Sequence, residues 1–544
     1  MPTKRTRFCT LSTNDKIIEA FYVLSLFNHS IHNYHHAKMD FPERIENIEG
    51  NQRDSWNDDI EEYLGKLQSP LQNSSSVEFD DAALQSSLQT VALDLEKQLG
   101  ESFKNCEVGE CDPHIETIVR TGKNLLRWYI QIYLEHLQVQ RQRHKNQGEC
   151  KIDVLRSPDA LSGVIQILKW SVKGNRNLKL ARDASLYIFY ATYSHFPGDK
   201  SASTGIDHVI SNLEFPKECL EILMKTNSVP LALTVVRNLH SMTVSFPTAR
   251  RSILDAKICC DPLMATELPP WAPKEATTIN FSQSCLALMR WSLDAQPSFP
   301  NKDPEDKRTE LVIEILNCFY AMRKGQELIE PTSGVTVDND GPSLEHLIVQ
   351  ILQLKLPSRS NAGYFDETIS KRIDHCQLSA VSLLMDSDVS FGKHLVEIGS
   401  FEKLLEIFKR QVDDIVDNTR VDSTATATLV PILVVLNRYC VANPIVQQMV
   451  KAFVFPTETE KKLQQSINEK RKTKMSPLDA PKDTLRGKLI VLLSWVDGYI
   501  KRCSAELVWT ICDSNSSEFT LRVGLGNALP LLNSKGLSPI PIPS

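Results

Sequence analysis

Apolar residues return every three or four positions along most of this chain while period-two alternation is nearly absent, which commits the sequence to helices rather than sheets. Leu125, Trp128, Ile132 and Tyr133 mark one helical face, and Leu485, Leu489, Leu492, Leu493 and Val496 mark another. Three helical stretches share a signature: Val236-Arg237-Asn238-Leu239-His240, Ile315-Leu316-Asn317-Cys318-Phe319 and Val435-Leu436-Asn437-Arg438-Tyr439. Each has a β-branched residue two places before the Asn and a ring two places after it. The Asn residues lie 79 and 120 positions apart, close to two and three units of about 40, the period of armadillo-type repeats. Asn is not favoured inside a helix, so each needs a compensating partner. The expected fold class is all-α, an armadillo/HEAT-like helical-repeat superhelix (solenoid), with the Asn residues facing its concave groove.

A single helical unit cannot bury its apolar face alone, so neighbours stack and leave a long inner surface suited to extended peptides or helices. The chain's 544 residues give room for such an array. Loops rich in Pro, Gly, Ser, Asn or Asp interrupt it at 196–205, 261–278, 296–306, 331–342 and 356–364, and none has the make-up of a flexible interdomain linker. The repeat domain is expected over 77–537. A polar, weakly periodic segment, 1–76, precedes it as partly ordered or atypical capping helices, and a short disordered tail, 538–544, follows.

Charge and cysteine usage narrow the function. Lys+Arg 61 against Asp+Glu 67 leaves a net charge of -6, which removes the electrostatic footprint of a general nucleic-acid binder. The 13 cysteines, an odd number without repeating spacing, read as thiols in a reducing compartment, so a cytoplasmic location is expected. The stretch 8–27 is broken by Asn14, Asp15, Lys16 and Glu19, and 429–455 by Asn437, Arg438, Asn443 and Pro444. The first is neither a signal-peptide core nor a membrane span, and the second reads as a buried helical pair, so no integral membrane segment is expected.

No reaction chemistry is visible. Gly524-Leu525-Gly526-Asn527-Ala528-Leu529 lacks the third glycine and the preceding strand of a dinucleotide site, and no P-loop is present. Cys106, Cys111 and His114, like His29, His32, His35 and His36, lack the paired short spacings of structural zinc. Cys259-Cys260 reads as packed thiols. The basic run from Lys461 to Lys474 is interspersed with Glu469 and preceded by Glu458 and Glu460, which favours a solvated face over a localisation signal or a membrane contact. With no metal, no cofactor and no nucleophile motif expected, the chain is read as a recognition protein and not an enzyme.

The C-terminal portion carries a family pattern. Thr428-Leu429-Val430-Pro431-Ile432-Leu433-Val434-Val435-Leu436, Val450-Lys451-Ala452-Phe453-Val454-Phe455-Pro456 and Thr484-Leu485-Arg486-Gly487-Lys488-Leu489-Ile490 follow one another. Ala505-Glu506-Leu507-Val508-Trp509-Thr510-Ile511-Cys512 and Gly524-Leu525-Gly526-Asn527-Ala528 come next, with Leu531-Leu532 and Gly536-Leu537 after them. In this order they resemble the closing repeats of the synembryn family, most clearly over about 429–537. Lys488, Gly524, Gly526 and Asn527 are the signature positions. Leu525 departs from the family's aromatic and Pro530 from its usual glycine.

The resemblance implies a cytosolic armadillo-like protein, extending to the cell cortex or the inner face of the plasma membrane. It would act on heterotrimeric G-protein α subunits as guanine-nucleotide exchange factor and folding chaperone, as a monomer holding the GDP-bound or nucleotide-free α subunit. Its concave surface would take the α subunit's C-terminal helix. Arg237, Asn238, Asn317, Asn437 and Arg438 are the expected groove residues, the two arginines being placed to meet a terminal carboxylate. The competing reading is an armadillo scaffold or nuclear-import adaptor without exchange activity. Import adaptors pair each groove Asn with a Trp four residues earlier, where this chain has Thr234, Ile313 and Leu433.

Overall fold

A computed structural model describes most of residues 115–127, then 153–192, 214–259, 278–295, 306–326, 343–356, 364–456 and 483–537, with short breaks and a few isolated positions between. The segments 1–76 and 538–544, the cysteines and histidines weighed for zinc, and the basic run lie outside the described residues. So does the face marked by Leu125, Trp128, Ile132 and Tyr133. The described residues fall into two compact units, one within Ile45–Leu347 and Ser358–Arg372, the other within Ile348–Pro357 and Ile373–Ser544.

The first unit opens with a 3-10 turn, Asp153–Arg156, and continues through α1 (Pro158–Val172), α2 (Leu178–Thr192), α3 (Phe215–Leu223), α4 (Val229–Ser245), α5 (Pro247–Asp255), α6 (Phe281–Asp294) and α7 (Arg308–Gln326). Helix α4 begins where Ser228 accepts from the Leu231 N–H at 3.4 Å with Pro230 in the first turn, and Pro247 follows its end and opens α5. Helices α1, α2, α4 and α7 stack each on the next. Helix α7 is covered on every side over its middle, with Leu311, Val312, Ile315, Leu316, Cys318 and Ala321 wholly enclosed and Glu314 and Asn317 buried among them. Each buried Leu, Ile or Val side chain contributes about 1.5–3 kcal/mol. The unit is not purely helical. Lys257–Cys259 (β1) pairs antiparallel with Thr278–Asn280 (β2) across the two ends of the loop expected at 261–278, and Asn280 then caps α6 in a reciprocal box with Gln283. That loop also lends Trp271 to the core, its Nε1 donating to the Leu223 carbonyl at 2.8 Å.

The second unit holds α10 (Ser390–Glu397), α11 (Phe401–Asp417), α12 (Ser423–Ala442), α13 (Pro444–Val454), α14 (Leu485–Leu492), α15 (Gly498–Ile511), α16 (Ser516–Val523) and α17 (Leu525–Ser534). Between the seventh and tenth helices lie α8 (Leu344–Leu352) and α9 (Tyr364–Leu384). Helices α12 and α13 are the helical pair expected over 429–455. Asn443 caps α13, its side chain accepting from the Ile445 N–H, and Pro444 holds the first position. By length and composition Ala425–Ala442 matches a membrane span, yet Leu429, Ile432, Leu433, Val435 and Leu436 are wholly buried among neighbouring helices. Helix α14 stops at Leu492, short of the run expected from the sequence. Val496 falls in the turn after it and is 82% exposed, because Asp497 caps α15 and forces the chain to re-enter there. The architecture is an all-α helical repeat.

Candidate functional site

Two of the three repeating Asn residues, Asn238 and Asn437, mark joints between helices. Asn238 is wholly enclosed; its Nδ2 donates to the Ser185 carbonyl at 2.9 Å and to the Thr234 carbonyl at 3.1 Å, with the Ser185 hydroxyl 3.0 Å away. It fastens α4 to α2. Asn317 is buried on α7, its Nδ2 without a hydrogen-bond partner among the described residues. Asn437 is half-buried, and its Oδ1 accepts from the Thr510 hydroxyl at 2.6 Å, joining α12 to α15. Thr426 donates to Asp497 at 2.9 Å eleven residues earlier on α12, so α12 and α15 run in the same direction.

Both candidate arginines are committed within the fold. Arg237 on α4 donates through Nε to Glu314 on α7 at 3.3 Å, and His240 Nδ1 lies 3.0 Å from the other oxygen of the same carboxylate. Burial alone pushes the Glu314 pKa up, but His240 and then Arg237 outweigh it and hold the carboxyl at about 2. Arg438 donates to the carbonyls of Met385, Leu384 and Ser387, buried acceptors where α9 ends. Cations are favoured at that end of a helix by its dipole and its unpaired carbonyls. Beside it Tyr439 is wholly buried and its hydroxyl meets Ser387 at 2.6 Å.

The signature positions have a local logic as well. Lys488 on α14 is buried, with Nζ 2.7 Å from Asp413 and 2.6 Å from Asp417 of α11. Burial would lower its pKa, but the two carboxylates raise it above the ordinary lysine value. Gly524 separates α16 from α17 at φ 83 and ψ 149, a conformation open essentially to glycine alone. Gly526 is exposed, with nothing within 4 Å of where a Cβ would stand. The Asn527 side chain donates to the Val523 carbonyl at 3.0 Å and so closes the last turn of α16. Flanked by helices and not by a strand, this glycine run has none of the surroundings of a dinucleotide site.

Sequence reasoning misses Glu314, although a signal is present. It is a lone acid inside an apolar run, three residues before Asn317, and such a residue needs a cation from elsewhere. Burial pushes the thiols of Cys440, Cys503 and Cys512 up to about 12 and those of Cys219, Cys285, Cys318 and Cys376 higher than the ordinary value, so these sulfurs are packing groups. Among the described residues no three His, Cys, Asp or Glu side chains converge in a metal-holding arrangement.

Stacked helices fastened by polar joints define the class of helical-repeat proteins. Residues 275–541, about half of the chain, match the family model for guanine nucleotide exchange factor synembryn, and over that span the chain belongs to the synembryn family. The chain is 44% identical over 55 residues to Chaperone Ric-8A of Xenopus laevis and equally to that of Xenopus tropicalis, and 38% identical over 55 residues to that of Gallus gallus. Each alignment covers 10% of this chain and 10% of the relative, so the matched stretch spans about a tenth of the curated relatives' length. A solved structure of an engineered protein aligns over 81% of this chain and 94% of its own at 11% identity and a TM-score of 0.32, a likeness too remote to bear on the fold.

Proposed function

We propose that this chain binds heterotrimeric G-protein α subunits through a helical-repeat surface and acts on them as guanine-nucleotide exchange factor and folding chaperone. The single observation that supports the reading is the synembryn match over 275–541, to which the short chaperone matches add. The chain itself makes and breaks no bond in this reading; it works by differential binding. It holds an opened α subunit whose guanine site is loosened, GDP leaves, and GTP then favours the closed form and expels the chain, because ligands that prefer different conformations weaken each other reciprocally. Moving an α subunit from 1:99 to 99:1 open requires about 5.5 kcal/mol of preference for the open state, a quantity that an extended helix-in-groove contact supplies.

In this proposal Arg237, Asn238, Asn437 and Arg438 act chiefly through the helices they fasten, with Asn317 buried on α7, setting the spacing of the faces that meet the partner. The chain works in the cytoplasm, at the cortex or at the inner face of the plasma membrane, as a monomer. The test is to add the purified chain to a GDP-loaded α subunit and follow nucleotide release, alongside the yield of active α subunit when the two are co-translated. Faster release supports exchange; improved yield without faster release supports a chaperone. Absence of binding rejects both and leaves the scaffold reading.

A further inference from the structure

Most of the described cations in the second unit are held by the fold, the exposed Lys355 and Lys409 being exceptions. Arg438 serves the end of α9, Lys451 bridges Asp513 and Glu518 at 2.7 and 3.1 Å, Lys488 bridges Asp413 and Asp417, and Lys535 pairs with Glu506 at 2.9 Å. Lys501 and Arg502 differ. Both are half-buried, and among the described residues neither has an ion pair or a side-chain hydrogen bond.

They are the fourth and fifth residues of α15, just past a first turn that holds no acid. The cap residue Asp497 is engaged by the N–H groups of Tyr499 and Ile500 and by Thr426. Glu506, one turn beyond Arg502, is the natural neutralising partner, yet Lys535, the residue that follows α17, holds it while lying 5.7 Å above the Trp509 ring. The side chains of Tyr499, Arg502, Cys503 and Glu506 recur at helical spacing as one half-buried face.

We infer that Lys501 and Arg502 are an anion-reading site for an acidic segment of the bound partner protein, and that the Lys535–Glu506 pair keeps it open by withholding Glu506 from Arg502. The inference rests on the proposed function for the identity of the partner. Arg502 offers a planar fork that fits a carboxylate, and Lys501 adds a second charge beside it. Lys535 is a positioning residue: neutralising it releases Glu506 to close over Arg502, so the site carries its own off state.

The experiment measures the affinity of the full-length chain for a GDP-loaded α subunit at two salt concentrations. The K501Q/R502Q chain is expected to bind about tenfold or more weakly and to lose most of the salt dependence, whereas R502K keeps the salt dependence. K535M weakens binding, and adding E506Q to K535M restores it, a rescue that mere damage to α17 does not produce. Helical circular dichroism and the unfolding midpoint show that each variant is folded. If wild type binds and K501Q/R502Q binds with the same affinity and salt response, the inference is overturned while the proposed function stands. If wild type binds no α subunit, the proposed function falls and this inference falls with it.

Discussion

The side-chain amide of Asn238 reaches across 53 residues of sequence to donate to the Ser185 carbonyl at 2.9 Å, and both residues are wholly buried. An amide in the interior of α4 is tolerable because the neighbouring helix supplies acceptors that water otherwise provides. Asn238→Leu removes the donor, overfills the joint and leaves the Ser185 hydroxyl without this partner. The expected loss is about 2–3 kcal/mol in urea unfolding followed by circular dichroism. A loss under about 0.5 kcal/mol would show that the joint adds nothing.

Glu314 makes part of the stability depend on acid. Its folded-state pKa, about 2, lies below the ordinary 4.5, so the unfolded chain takes up the proton more readily. The contribution is therefore fully present above pH 4.5 and declines as pH falls toward 2, amounting to about 3 kcal/mol in all. Glu314→Gln should flatten the difference in unfolding free energy across that window. An identical pH profile for the two chains refutes the assignment.

The two signature glycines respond in opposite directions. Gly524→Ala places a side chain at φ 83 and should cost about 1–3 kcal/mol. Gly526→Ala meets nothing within 4 Å and lies in the first turn of α17, where Ala is favoured by up to about 1 kcal/mol. Thermal midpoints should fall for the first and rise for the second. Equal shifts would contradict the geometry at this turn.

Gly392 on α10 packs against Tyr439 so closely that an added Cβ would stand 2.6 Å from its Cγ and 2.9 Å from its Cβ. The ring is buried and its hydroxyl is anchored on Ser387, so it has little freedom to withdraw. Gly392→Ala should destabilise by about 1–3 kcal/mol, and Gly392→Ala combined with Tyr439→Leu should recover part of the loss. Additive losses in that double-mutant cycle would mean that the two residues do not press on each other.

Much of this chain is legible in its residues alone. Period-three-to-four apolar spacing specifies helices, and Pro247, Asn443-Pro444 and Gly524 mark where they stop and start, because propensity, capping and φ restriction act on neighbours in sequence. Periodicity also extends the face of α14 to Val496, since it carries no information on where Asp497 re-caps the chain. The stretch containing Trp271 has the composition of plain loop, because nothing local predicts that an indole will find the Leu223 carbonyl.

Sequence alone determined that the chain is a run of amphipathic and fully apolar helices without a reaction motif, and which ordered residues align its latter half with synembryns. Only the tertiary structure decided the roles of the polar groups. Whether Asn238, Arg237, Arg438 or Lys488 faces a partner or a neighbouring helix depends on which acceptors lie across the packing interface, and those come from residues tens of positions away. The same physics separates Arg502 from Arg438: identical side chains, one surrounded by the carbonyls of a helix end and the other deprived of its acid by Lys535, a pairing set by packing and not by spacing.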